Sequence, residues 1–178
     1  VFLLKNSIVS DHEGAGLAFY NIPFLDIALP PLYTELTVEN TSFWNNDVGV
    51  FALNTDARKN IRDCRFNNQV NGPTKTDVFL WDASTVQLSG NDFEGGSQRA
   101  LRVLESTNVV AFNNDFMNYR SADGRAAISA LEEQINAPQN YWGDAGGPDF
   151  PPVNVNPAGG FISATNVVFQ PFLSGPYD

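Results

Sequence analysis

One short frame returns along this chain and sets what the chain can fold into. It reads Leu88-Ser89-Gly90-Asn91-Asp92-Phe93, then Ala111-Phe112-Asn113-Asn114-Asp115-Phe116, then Ala137-Pro138-Gln139-Asn140-Tyr141-Trp142. In each copy a polar side chain stands two positions before a large apolar one, and another apolar position lies three residues ahead of the polar one. The frame also fits Asn6 with Ile8, Thr41 with Phe43 and Cys64 with Phe66. With the polar member as zero, position minus five holds Val1, Leu36, Lys59, Val86, Val109 and Ile135. Position minus three holds Leu3, Val38, Ile61, Leu88, Ala111 and Ala137.

The anchors Ile8, Phe43, Phe66, Phe93, Phe116 and Trp142 are 35, 23, 27, 23 and 26 residues apart, an imperfect period of the kind solenoids show. Within each unit apolar and polar residues alternate in short runs, which is strand periodicity. No leucine-rich consensus accompanies it. Strands of one sense stacked rung on rung give an all-β fold, a single-stranded parallel β-helix of about six rungs. The parity of alternation changes between minus three and zero, so the backbone must bend there. Asn at position zero suits the bend, since it tolerates left-handed angles and can bond the Asn stacked above it. The aromatics at plus two are expected to stack inside.

In chain order the expected rungs are 1–21, 34–57, 58–84, 85–106 and 107–131, with a sixth left incomplete at 142. Residues 22–33, with Pro23, Pro30 and Pro31 among Phe24, Leu25, Ile27, Leu29 and Leu32, form an insertion too apolar for a solvated loop. Turns are expected at Asn71-Gly72-Pro73, Gly95-Gly96 and Asp123-Gly124. From Gly143 the composition changes, and Pro148, Pro151, Pro152 and Pro157 remove ladder donors. Residues 1–142 therefore read as helix rungs and 143–178 as a C-terminal cap in which Val167, Phe169 and Phe172 cover the last rung. Val1 already occupies position minus five, so the first rung has no cap of its own and implies a fragment, a processed form or an assembly that covers this end.

These repeats resemble those of the right-handed parallel β-helix superfamily, the pectin-lyase-like group of secreted bacterial and archaeal proteins and carbohydrate-processing enzymes. Asn140-Tyr141-Trp142-Gly143-Asp144, Gly146-Gly147-Pro148, Asn156-Pro157, Gly159-Gly160 and Asn166 to Leu173 resemble, in order, the segment that closes many such helices. The resemblance covers nearly the whole chain. It implies a fold and an extracellular or cell-surface setting, but not one activity, because the superfamily holds lyases, hydrolases, epimerases and adhesins.

A formal charge of -10 argues against nucleic acid and anionic membranes as partners, since both reward clustered Lys and Arg. No apolar run is long enough to cross a membrane. One cysteine, Cys64, excludes an intramolecular disulfide, and its ladder position reads as a small buried residue.

Chemistry is sought on the outside. The strand after each turn offers an outward column Ala18, Phe51, Phe79, Arg102, Ser129, a second of Tyr20, Leu53, Trp81, Leu104, Leu131, and a third of Asn21, Asn54, Asp82, Glu105, Glu132. Phe51, Phe79 and Trp81 are the candidate ligand-binding residues: aromatic rings beside carboxylates and an Arg suit a sugar polymer lying along the solenoid. The resemblance implies the same face, on which β-helical pectin enzymes work as a family. The other reading is that the Pro-rich insertion or a partner chain covers these rings while the third column turns into the bend.

Catalytic signals are sparse. Asn54-Thr55-Asp56 resembles one motif of polygalacturonase-type glycosidases, without the paired Asp-Asp, Gly-His-Gly or Arg-Ile-Lys that accompany it there. Hydrolysis of a glycoside needs two carboxyls across one bond, and Asp82 with Glu105 on adjacent rungs is the available pair. A lyase needs an acidic calcium site and an Arg or Lys base, which Arg102 permits. Hence the catalytic candidates are Asp82, Arg102 and Glu105. The single His12 cannot make a zinc site. No cofactor is expected, with Ca2+ at Asp144 and Asp149 as the alternative.

Two functions follow. The favoured one is a non-catalytic structural or adhesive domain of a secreted or cell-surface prokaryotic protein, binding glycans or stacking with a neighbouring chain at its open first rung. The alternative is a polysaccharide lyase or glycoside hydrolase, or a piece of one, acting on an acidic polysaccharide.

Overall fold

The computed structural model describes residues 1–20, 34–67 and 75–177. The insertion expected at 22–33, Asn21 of the third column and the turn at 71–73 lie outside the described residues.

Strands follow one another around a coil. β1 (Phe2–Lys5), β2 (Ile8–Ser10) and β3 (Ala15–Tyr20) make the first turn, and β4 (Glu35–Glu39), β5 (Ser42–Trp44) and β6 (Val48–Thr55) the second. β7 (Arg58–Arg62) and β8 (Arg65–Asn67) lead into the long β9 (Thr76–Ser89), which bends from one face onto the next. Then come β10 (Asp92–Phe93), β11 (Arg99–Leu104), β12 (Thr107–Phe112), β13 (Asp115–Phe116), β14 (Ala126–Ala130), β15 (Ile135–Asn136), β16 (Ile162–Ser163) and β17 (Val167–Val168). Among the described residues every strand pairing is parallel. The first face stacks β1-β4-β7-β9-β12-β15-β17, the second β2-β5-β8-β10-β13, the third β3-β6-β9-β11-β14-β16. The expected parallel β-helix is the fold. Its rung count differs slightly from six, with seven, five and six named strands on the three faces.

The frame explains the interior. Phe43, Phe66, Phe93, Phe116 and Trp142 stack with successive ring centroids 5.0, 4.9, 5.0 and 4.9 Å apart, one ring per rung. Beside them runs a file of asparagines: the Asn91 side-chain amide donates to Asn114 Oδ1 at 2.9 Å, and that of Asn114 to Asn140 Oδ1 at 2.9 Å. Asn91 Oδ1 in turn accepts the Cys64 N–H at 3.0 Å, so the file satisfies corner groups that strand pairing leaves open.

Two expectations are corrected. In the first rung the interior residues are Phe2, Leu4 and Val9, registered on Leu36, Val38 and Phe43, whereas Val1, Leu3 and Ile8 point outward and are 81%, 58% and 76% exposed. The side chain lying over Thr41 is therefore Ser7 rather than Asn6. Both parities of this rung are apolar, so alternation could not choose between them, and pairing with the second rung does. The left-handed backbone also sits one residue earlier than expected. Asn40, Asp63, Gly90, Asn113 and Gln139 carry the positive φ, and the following residue points its side chain inward.

Lys59 keeps its interior place between Leu36 and Val86 although it is charged. Its ammonium donates to the carbonyls of Thr55 (2.6 Å), Ala57 (2.5 Å) and Ser84 (2.8 Å), which would otherwise be stranded at the corner between the third and first faces.

Candidate functional site

The third face positions the candidates. Ala18↔Phe51, Phe51↔Phe79, Phe79↔Arg102 and Arg102↔Ser129 are registered pairs, as are Tyr20↔Leu53, Leu53↔Trp81 and Trp81↔Leu104. The first two outward columns read from the sequence are therefore real columns. Parallel pairing puts the Phe51 and Phe79 rings 5.2 Å apart and the Phe79 and Trp81 rings 6.3 Å apart. The Arg102 guanidinium lies 4.8 Å from the Phe79 ring centre, a cation–π contact that continues the column as a charge. Trp81 is 42% and Tyr20 58% exposed, while Phe51 and Phe79 are half-buried.

The third column turns into the bend. Asn54, Asp82 and Glu105 have φ of 46°, 48° and 51°, which is the left-handed corner geometry. Asp82 and Glu105 are exposed at this corner, and the Trp81 indole N–H reaches Glu105 Oε2 at 3.4 Å. Asn54-Thr55-Asp56 has corner partners as well: Thr55 Oγ1 accepts the Ala57 N–H at 3.4 Å, and Asp56 accepts the Ser84 hydroxyl at 3.0 Å.

Around the corner lies a groove of about 650 Å³ lined by Glu105, Ser106, Asn108, Glu132, Glu133 and Asn136 among others. Glu133, which the sequence reading did not single out, organises its floor. Its carboxylate accepts the N–H groups of Glu105 (2.5 Å), Leu131 (2.9 Å) and Glu132 (3.1 Å). Burial pushes this carboxyl upward, and the backbone N–H groups of Glu133 itself, Glu105, Leu131 and Glu132 together outweigh it and hold the group below its ordinary value. Nothing in the local sequence announces this role, because the Glu105 N–H belongs to the neighbouring rung.

The two acids proposed for calcium are occupied by donors. Asp144 Oδ1 accepts the Gly146 N–H at 2.7 Å and the Asn156 amide at 3.1 Å, and these two bonds hold its carboxyl below the ordinary range. Asp149 accepts the Asn156 N–H and the Ser121 hydroxyl, each at 3.2 Å. Among the described residues no group of three or more His, Cys, Asp or Glu could hold a metal ion. His12 is exposed, and its main chain is tied to Asn46 and Asp47.

No curated protein and no solved structure matches this chain significantly. The model of the family described as right-handed beta helix region matches residues 32–129, more than half of the chain and all of its regular central rungs. With parallel strands on three faces and stacked aromatic and asparagine files inside, the chain belongs to the right-handed β-helix family.

Proposed function

We propose that this is a non-catalytic structural or adhesive β-helix domain of a secreted or cell-surface prokaryotic protein, and that it binds glycan through its third face. One observation carries the reading: Phe51, Phe79 and Trp81 form a continuous aromatic line, extended by Arg102, with Trp81 open to solvent. Sugar rings present apolar C–H faces that stack on such rings, while their hydroxyls bond to neighbouring carboxylates and guanidinium groups. Residues 143–177 act as the C-terminal cap. Support comes from Ile162, Val167 and Phe169, all buried, and from the Phe169 ring, 5.9 Å from Phe150 and 6.3 Å from Phe172. The half-buried Phe2, Leu4, Leu17 and Phe19 of the first rung offer a surface for a neighbouring chain or further rungs.

Glu105, which lines the groove and accepts the Trp81 indole N–H, supports a second reading, a polysaccharide lyase or glycoside hydrolase with Asp82, Glu105 and Arg102 as its catalytic residues. Incubation with pectin, alginate and neutral polysaccharides separates the two, following unsaturated ends by absorbance and reducing sugar by colour. The adhesive reading predicts retention on a polymer without products. Products that vanish in Asp82→Asn or Glu105→Gln would replace it with the enzymatic one.

A further inference from the structure

The chain has twenty acidic residues against ten Lys and Arg, yet one region of the third face gathers arginines away from carboxylates. Arg99 and Arg102 lie on β11, and Arg125 directly precedes the paired strand β14. Among the described residues none of the three forms an ion pair, whereas Lys5, Arg62, Arg65 and Lys75 all do. Arg125 donates to the Gly95 carbonyl, and Arg99 reaches Gln98 Oε1 at 3.4 Å. A guanidinium carries five N–H donors, so most of those on both residues stay free for a ligand.

These two arginines line a pocket of about 180 Å³ whose other walls include Ser121, Ser129 and Ser163. Asp149, which is buried, accepts the hydroxyl of the lining residue Ser121. Ser129 and Ser163 continue the column of Phe51, Phe79 and Arg102, so the pocket lies at the end of the aromatic line. Burial and the neighbouring Arg102 charge both pull Arg99 below its ordinary value, a cost that a bound anion would relieve. The volume suits one charged group and the carbon bearing it, since whole small-molecule ligands take roughly 300 Å³ or more.

We infer that Arg99, Arg125, Ser129 and Ser163 form an oxyanion subsite that takes a sulfate, phosphate or carboxylate group, carried by the glycan held on the aromatic line. The inference deepens the glycan-binding reading and rests on it for the source of the anion. Guanidinium groups match oxyanions with paired N–H bonds, and serine hydroxyls complete the shell.

Calorimetric titration of the full chain tests this, using a neutral galactan oligosaccharide, the same oligosaccharide bearing sulfate esters, oligogalacturonate, and inorganic sulfate and phosphate. At least one anionic oligosaccharide should bind about tenfold or more tightly than the neutral one. Arg125→Gln and the exposed-site change Ser163→Ala should reduce that advantage without changing neutral binding, and Ser163→Ala should also leave the unfolding midpoint in place. Equal affinity for charged and neutral forms, indifferent to Arg125→Gln, would overturn the subsite and leave the aromatic reading standing. Binding of inorganic sulfate or phosphate that Arg125→Gln abolishes, with no oligosaccharide bound, would keep the subsite and remove the glycan. Failure of every anion to bind would end the inference.

Discussion

Asn91 and Asn114, 23 residues apart in the chain, are joined by a 2.9 Å hydrogen bond between their side-chain amides in the interior of the coil. Asn114 Oδ1 also accepts the Asn91 N–H at 3.0 Å, and its amide donates to Asn140 Oδ1 and to the carbonyls of Leu88 and Phe112. Asn114 is fully buried, so Asn114→Ala leaves several groups unpaired where water cannot replace the partner. The expected loss is about 3 kcal/mol or more, read from urea unfolding. A loss below about 1 kcal/mol would mean that the file contributes little to stability.

The aromatic file should be similarly sensitive. Phe93 is buried between Phe66 and Phe116, so Phe93→Ala opens a cavity in the middle of the stack and should cost about 3 to 5 kcal/mol. Trp81→Ala, at an exposed position, should change stability by less than about 1 kcal/mol.

Cys64 occupies a ladder position, and burial pushes its thiol up to about 12. A raised acid value means that the neutral thiol is favoured in the fold. Its contribution to stability is therefore complete below the ordinary value near 9 and is lost as pH rises from there toward 12. A thiol-reactive dye at pH 8 should label the protein only after unfolding, and Cys64→Ser should remove this part of the alkaline stability loss. Rapid labelling of the native protein would contradict the buried ladder position.

Lys59 carries the opposite sign. Burial lowers its value from 10.5 to about 8, and the Asp56 charge opposes the shift. The unfolded chain then holds this proton more tightly than the fold, so the Lys59 contribution becomes more favourable as pH rises from about 8 toward 10.5. Lys59→Met strands three carbonyls and should cost about 1 to 3 kcal/mol at pH 7. The stability difference between wild type and variant should widen across that same window. A constant difference would place the ammonium in water.

The fold was legible because a corner residue and an aromatic recur at fixed separation, and stacked rungs demand like residues at like positions. Legibility failed where the signal was symmetrical. Val1-Phe2-Leu3-Leu4 and Ile8-Val9 are apolar in both parities, so only the partner strand decides which side chains enter the core. The Asn113-Asn114 pair concealed the division of labour, since either residue could hold the left-handed angle, and Asn113 does. On the third face the aromatic column followed directly from alternation. Glu133 and the carbonyl cage of Lys59 did not, because their partners come from neighbouring rungs and corners whose approach only the coil creates. Arg99 and Arg125 were overlooked for a related reason: they lie at strand starts, outside the columns read from the strand centres.

The most direct measurement follows the three tryptophan indole N–H resonances while glycan oligosaccharides are titrated in. Trp142 is buried in the aromatic file and Trp44 is on the second face, so neither should respond. A saturable shift of Trp81 alone, absent in Phe79→Ala, is the predicted result. Indole signals that stay still across neutral and anionic oligosaccharides, or a shift confined to Trp44, would contradict a glycan-binding third face.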